Sequence, residues 1–292
     1  MMQLLAQVVS IAVLAPLVQG VMKRLRANLQ GRPGPSPLQP YRDLAKLLNK
    51  EALLPYGVSP IPLIAPGIVL GVAVTFASVL PIVAPNAMGS IVDIIALAFL
   101  LGLGRFALAL AALDTRSSFA GMAASREMAF GSLVEPALLL ALLGGAVLGR
   151  GTHLSFLLDA PFGLAGMLAF AAFFLVLLAE TARVPIDNQE THYELTMIHE
   201  GLVLEYSGWQ LAMLQYAGYI RQLCFLVLAA MLLPGGAEGW RHLPWILGLI
   251  GAVTVVETLF AKLRLFEVPQ LFGTAFIFAV ASIGLRVLGG LA

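Results

Sequence analysis

Cysteine is almost missing: Cys224 is the single one in 292 residues, and it lies inside an apolar run. One thiol excludes a disulfide within the chain, a cysteine-ligated iron–sulfur cluster and a cysteine-based zinc site. Charge is scarce as well. Asp, Glu, Lys and Arg make up 11% of the residues and hydrophobic types 60%, whereas soluble domains carry about 25% charged residues. A water-soluble chain of this length has no core large enough to hide so much apolar surface, so lipid is the solvent for much of it. The net charge of +1 carries no signature of nucleic-acid binding, because it averages a basic side and a neutral side. Also absent is any Lys or Arg ahead of the first apolar run, where a cleaved signal peptide has its positive charge. Basic residues follow that run closely, so it reads as a permanent helix with its N-terminus outward.

About 20 apolar residues are needed to cross the hydrocarbon core. The sequence offers eight such runs, at roughly 4–22, 61–83, 91–113, 128–148, 161–179, 208–233, 243–261 and 268–288. Helices are required, because an open strand in lipid leaves its amides unpaired. The expected fold is therefore all-α, one polytopic membrane domain over 1–292 with about eight transmembrane helices. Twelve Lys and Arg residues fall in the loops after spans one, three, five and seven, against three on the other side. By the positive-inside rule both termini face outward and the long loops inward. Two inner loops are long, 23–60 and 181–206. The first contains Gly31-Arg-Pro-Gly-Pro-Ser-Pro37, too rich in Gly and Pro for regular structure. After it, 41–54 places Leu44, Leu47 and Leu48 on one helical face, with Arg42, Asp43, Lys46 and Lys50 for charge. That pattern predicts an amphipathic helix at the interface or against a partner.

Ionisable groups inside spans cost at least about 2.5–3.5 kcal/mol each on insertion scales. Here they are Asp93, Arg105, Glu135, Arg221 and Glu257. Arg105, Glu135 and Glu257 each fall about 8–12 Å from the inner end of their helix, a common level for a buried cluster. Such a cluster is either a static pair that fixes helix packing or a proton relay. Asp93, near an outer end, is expected in solvent, and Arg221 has no partner evident at its depth. The loop after span five is the least ordinary segment. Six carboxylates lie between Glu180 and Glu205, with Arg183 the one basic residue among them. Leu195, Met197, Ile198, Leu202, Val203 and Leu204 alternate with the acids, so the loop is expected to fold back into protein, where carboxylates make good proton carriers. His192 and His199 stand seven apart, about 10.5 Å along a helix, too far for one ion without a third element; a metal site is not expected.

Three segments resemble the respiratory complex I subunit 1 family. They are similar, within it, to the membrane-anchor subunits of formate hydrogenlyase and hydrogenase-4 assemblies (group 4 NiFe hydrogenases). The first is the loop Arg32-Pro-Gly-Pro-Ser-Pro-Leu-Gln-Pro-Tyr-Arg-Asp-Leu-Ala-Lys-Leu-Leu-Asn-Lys-Glu51, which holds Gln39, Asp43 and Lys46. The second is Leu113-Asp-Thr-Arg-Ser-Ser-Phe-Ala-Gly-Met-Ala-Ala-Ser-Arg-Glu127, which holds Arg126 and is followed by Glu135. The third runs from Glu180-Thr-Ala-Arg-Val-Pro-Ile-Asp187 to Glu205-Tyr-Ser-Gly208. The resemblance implies a joint between a peripheral redox arm and a membrane arm. Glu135 matches an intramembrane glutamate on the family's proton route, and Glu194 and Glu205 match loop carboxylates on it. Arg183 and Asp187 match residues lining a junction cavity, which receives the quinone headgroup in quinone-using relatives.

Two departures favour the hydrogenase branch. The stretch between Glu194 and Glu205 is longer than in complex I, and Gln215 or Gly218 stands near a position where complex I has a further glutamate. The expected function is a non-redox membrane subunit of a formate hydrogenlyase or hydrogenase-4 type complex, coupling electron transfer to proton translocation. Its proton pathway is expected to use Glu135, Glu194, Glu200, Glu205, Glu257 and Arg105. Arg183, Asp187, Glu180, Gln39, Asp43, Lys46 and Arg126 are expected in the junction cavity and docking loops. No cofactor is expected in this chain; the NiFe and iron–sulfur centres belong to partners. Those partners are hydrogenase-like large and small subunits, a ferredoxin-like iron–sulfur subunit and antiporter-like membrane subunits, on the plasma (inner) membrane. The alternatives are a quinone-site subunit of complex I type, a purely structural anchor and, ranked last, a stand-alone secondary transporter.

Overall fold

The computed structural model describes residues 2–53, 57–80, 92–146, 151–157, 162–187, 197–234 and 242–289. Among them are ten α-helices: α1 Met2–Leu29, α2 Gln39–Leu48, α3 Ile61–Val79, α4 Ile94–Asp114, α5 Ser118–Gly145, α6 Leu164–Glu180, α7 His199–Leu202, α8 Gly208–Met231, α9 His242–Leu259 and α10 Val268–Gly289. Leu154–Leu157 forms one 3-10 turn, and the described residues contain no strand beyond an isolated pairing of Asp93 with His153. Seven helices are long and apolar enough to cross a membrane. The eighth expected span appears as α6, whose 17 residues reach about 26 Å at 1.5 Å per residue. It packs between α5 and α10.

Two boundaries differ from the apolar runs. α1 continues to Leu29, so Lys23, Arg24 and Arg26 lie on a helix, and α5 begins at Ser118, ten residues before its apolar run. Hydropathy marks where lipid begins, whereas helix propensity and backbone pairing mark where a helix begins. Ala120, Ala123 and Ala124 are fully buried good helix formers that carry α5 beyond its apolar stretch.

The 31–38 segment doubles back along α1, with the Pro37 carbonyl lying over Gly20 and Gly34 beside Arg24. It delivers α2 into contact with α8 and α1 of the same chain. Leu44 and Leu47 are half-buried there, but Leu48 is exposed, so the expected three-leucine face is split. Beyond α2, the amide of Leu53 donates to Ser207 Oγ at 2.7 Å, and that hydroxyl donates to the Leu53 carbonyl at 3.1 Å. Gly208 follows with φ +54°, and a Cβ there would stand 2.5 Å from the Glu51 carbonyl oxygen. Glycine alone fits this crossing without strain.

Lipid supplies no hydrogen bonds, so side chains complete the backbone ends. Gln7 of α1 donates from Nε2 to the carbonyls of Ala77, Ser78 and Leu80, closing the C-terminus of α3. Ser282 donates to Ala165 O at 2.7 Å, and Arg286 to Gly145 O at 3.1 Å, joining α10 to α6 and α5. Asp93, expected in solvent, is part-exposed and also caps α4: its carboxylate accepts from the Ile95 amide at 2.7 Å and from the Thr152 hydroxyl. The Thr152 bond and then the Ile95 bond hold its carboxyl below the usual range. At the centre, Phe225 of α8 meets Phe76 of α3 edge-on at 5.5 Å and stacks on Phe173 of α6 at 5.9 Å.

Pro16 lies inside α1 and has no N–H for the carbonyl of Ala12 one turn earlier. Tyr216 of α8 supplies the missing donor, 3.1 Å from Ala12 O, and the Tyr41 hydroxyl of α2 donates to the neighbouring Val13 O. The proline thus creates the acceptor that ties α8 to α1, and the separate Val13 bond adds α2. Replacing Tyr216 by Phe is expected to lower stability by about 1 kcal/mol, read as a lower unfolding midpoint in detergent; no change would mean that the Ala12 carbonyl has another donor.

Candidate functional site

Where α1, α3, α4, α6 and α8 meet the loop segments 181–187 and 197–206, they enclose a chamber of about 420 Å³. Its wall holds two ionic clusters. In the first, Arg105 of α4 reaches three carboxylates. Its Nη1 is 2.7 Å from Glu135 Oε1 and its Nε 3.4 Å from Glu127 Oε1, both on α5, and Nη2 donates to Glu180 at the end of α6. The Arg105 side chain is 7% exposed and that of Glu180 3%, but Glu135 keeps 44% of its side-chain surface open. Glu127, Gly131 and Glu135 recur every four residues along one stripe of α5. A Cβ at Gly131 would stand 2.7 Å from Arg105 Nη1, so this glycine is the gap the guanidinium occupies.

The second cluster surrounds Arg183, just beyond α6. Its Nη1 donates to Glu257 Oε1 of α9 at 2.9 Å, and its Nη2 donates to Gln222 Oε1 of α8 at 2.6 Å and to Gln19 of α1. Arg26 of α1 approaches Glu257 at 3.7 Å. Glu257 therefore belongs to a different cluster from Arg105 and Glu135, and the expected common level is not found: Glu257 stands two residues before the end of α9 at Leu259, whereas Glu135 stands 17 residues after the start of α5 at Ser118. Depth along an axis does not tell which way a side chain faces.

The 181–187 loop is held from several directions. Asp187 accepts from Lys262 Nζ at 2.7 Å and from the His199 amide at 3.0 Å, and the Leu263 amide donates to Pro185 O at 2.8 Å. Arg126 Nη1 donates to Met197 O at 2.9 Å, fixing the far side of the loop to α5. Glu200 lines the chamber; Glu205 is half-buried and stands outside its lining. Gln39 Nε2 donates to Asp43 at 2.8 Å within α2, and Lys46 is exposed. Glu194 and His192 lie outside the described residues. Among the described residues, no group of three or more His, Cys, Asp and Glu is arranged to hold a metal ion.

Arg221, without an evident partner by depth alone, meets His199 of α7: Nη2 is 3.2 Å from Nε2. A guanidinium only donates, so Nε2 is the acceptor and the imidazole is neutral with its proton on Nδ1. Burial first, then the Arg221 charge, pushes the His199 pKa down to about 3. Tyr206 at the end of this loop is pushed up to about 12 by burial and by Asp114. Glu127, Gln19 and Gln222 are site residues that span-by-span inspection passes over, whereas Arg221 is visible there as an in-span charge but without its partner. The four-residue stripe of α5 was a usable signal for Glu127; the glutamines carry no signal in the sequence.

Residues 2–286 match the family described as NADH dehydrogenase. The chain belongs to that family. Among its relatives is hydrogenase-4 component C of Escherichia coli (strain K12), 35% identical over 243 residues, covering 80% of this chain and 75% of that one. Formate hydrogenlyase subunit 4 of the same strain is 31% identical over 294 residues, covering 94% and 95%. NADH-ubiquinone oxidoreductase chain 1 of Patiria pectinifera is 29% identical over 251 residues, covering 79% and 73%. In structure, the chain matches a chain of the membrane-bound sulfane sulfur reductase, an archaeal respiratory membrane complex, with TM-score 0.82 and 98% of both chains covered. At 18% identity that likeness shows a shared fold and nothing further. The chain is thus a multi-pass membrane protein whose relatives are parts of hydrogenase-4, formate hydrogenlyase and NADH-ubiquinone oxidoreductase assemblies.

The state of His199 is directly measurable. An unfolded histidine gains its proton near pH 6.5 and the folded one only near 3, so the folded protein binds fewer protons in that window and its stability falls as pH drops through it. Isotope-edited NMR of labelled histidine is expected to show a neutral His199 ring from about pH 5 to 8, the range in which an ordinary histidine titrates. Arg221→Gln is expected to raise its pKa while leaving it below the ordinary value, because burial is the larger cause. A ring that protonates near pH 6.5 in the unaltered protein, the ordinary histidine value, would contradict this geometry.

Proposed function

We propose that this chain is the membrane subunit of a formate hydrogenlyase or hydrogenase-4 type complex, coupling electron transfer in a peripheral arm to proton translocation. Its long loops are cytoplasmic and hold the hydrogenase-like and ferredoxin-like subunits against the plasma membrane, and both termini face outward. The NiFe and iron–sulfur centres lie on those partners, and antiporter-like subunits adjoin it in the bilayer. One observation carries the reading: a charged chamber beneath the loops is joined through Arg105 to Glu135, a carboxylate open on the helical face. A static packing pair has no need of a polar chamber on one side and an open carboxylate on the other. Identity to both hydrogenase-branch relatives over most of the chain supports the hydrogenase setting above the quinone one.

In this mechanism, reduction of the peripheral arm changes the field at the loop carboxylates Glu194, Glu200 and Glu205. Protons move from the chamber toward Glu135 and on to the neighbouring membrane subunits. Glu257 and Arg183 hold α1, α8, α9 and the loop together around that chamber. Glu135→Gln removes the exchanging group but keeps its size. It is expected to lower proton movement per electron several-fold in vesicles bearing the whole complex, with assembly and electron transfer intact. Undiminished proton movement would refute the coupling role.

The anchor reading has its own support in the three-way pairing of Arg105. It predicts that Arg105→Gln alone prevents assembly and that also replacing Glu127, Glu135 and Glu180 by Gln restores both assembly and full proton movement. The coupling reading predicts that this multiple variant assembles without translocating protons.

A further inference from the structure

A second void, of about 30 Å³, lies behind the Arg105 cluster on the side of Phe272. A polar space needs roughly 10–15 Å³ to hold a water, so this one is large enough. Arg105, Glu127, Glu180, Ala182, Asp187 and His199 line both this void and the chamber. The wall between two hydratable spaces is therefore largely an ion pair, with the Arg105 guanidinium on Glu180. From this arrangement, and resting on the coupling role above, we propose that Arg105 is a movable divider. Its guanidinium passes between Glu180 and the Glu127–Glu135 pair as those carboxylates exchange a proton.

The charges around the divider favour such an exchange. Among the described residues, Glu127 and Glu135 of α5, Glu180 of α6 and Asp187 of the following loop supply four acids. Arg105 of α4, Arg221 of α8 and Lys262, which pairs with Asp187 at 2.7 Å, supply three cations, and His199 beside them is neutral. One proton balances this group, and three carboxylates around one guanidinium compete for it. The Arg183–Arg26–Glu257 cluster stands elsewhere on the chamber wall. The free space beside the guanidinium is the second void, and glycines shape the α5 side: a Cβ at Gly131 would meet Arg105 Nη1 at 2.7 Å and one at Gly102 would meet Glu135 Oε1 at 3.2 Å.

The step balances in protons. Glu180 takes one from chamber water, becomes neutral and releases the guanidinium, which keeps its own proton throughout. Arg105 is then held by Glu127 and Glu135, and the two water-holding spaces join. The proton crosses through water in the small void to Glu127, which lines it. Glu180, again a carboxylate, recaptures the guanidinium and closes the wall.

The test uses the complete complex in sealed vesicles with an internal pH dye. Without any electron donor, Arg105→Gln is expected to raise passive proton leak several-fold, because the divider is gone. Where that variant fails to assemble, Arg105→Lys, which keeps the charge but lacks the three-way fork, is expected to leak to a lesser degree. Gly131→Ala leaves every charge in place and crowds Arg105 off the α5 side. It is expected to lower coupled proton movement several-fold, with no leak and with unchanged electron transfer. The proposal holds only if both results appear. Vesicles as proton-tight as the unaltered complex, or full coupling in Gly131→Ala, would overturn it. The leak is read without electron transfer, so it is separate from the Glu135→Gln measurement, whose failure would instead remove the coupling role.

Discussion

A charge in hydrocarbon persists only where other charges and hydrogen-bond donors replace the water it has lost. In this protein that constraint falls on very few residues. Arg105 answers it by holding three carboxylates from two helices, and Arg183 by drawing together Glu257, Gln19 and Gln222 from three more. Each guanidinium spreads its donors in a planar fork, which a lysine ammonium does not provide. As a result, the charges that make the interior polar are also what set α1, α4, α5, α6, α8 and α9 around one chamber. Remove Arg105, and Glu127 and Glu180 are left largely buried without their cation.

The apolar packing has a different distribution. Phe76, Phe173 and Phe225 fill the middle of the bundle, whereas Phe99 and Leu247, at 73% and 66% exposure, lie on its outer surface. That is how a membrane protein distributes its hydrophobic residues: lipid accepts them outside, so the interior is free to hold polar groups. The backbone follows the same economy. Gln7, Arg286 and Tyr216 each donate to a helix carbonyl that lipid has no means to satisfy. These links tie neighbouring helices to one another around the two clusters, and Gly131 is the gap that the Arg105 guanidinium occupies.

The two parts of the site differ in kind. Around Arg183 every partner is buried and comes from a separate helix, an arrangement suited to holding elements together. Around Arg105 the partners are more numerous than the cation can neutralise, and one of them, Glu135, is partly open. A surplus of acids around one base is an arrangement in which protonation and position are linked, because whichever carboxylate is neutral loses its claim on the guanidinium.

Much of the fold was legible along the chain. Eight apolar runs became eight helices, since a run of about 20 apolar residues in lipid has few other ways to pair its amides. The charged positions inside them were visible as exceptions. Hydropathy alone missed the start of α5 and the length of α1, because alanine-rich and basic segments extend helices beyond the lipid. It also neither separated Glu257 from Glu135 nor paired Arg221 with His199. Composition and periodicity therefore determined the class, the spans and which residues needed a partner. Only tertiary structure decided who those partners are, because depth along a helix is written in sequence spacing, whereas the rotation of one helix against another is settled by packing of all of them together.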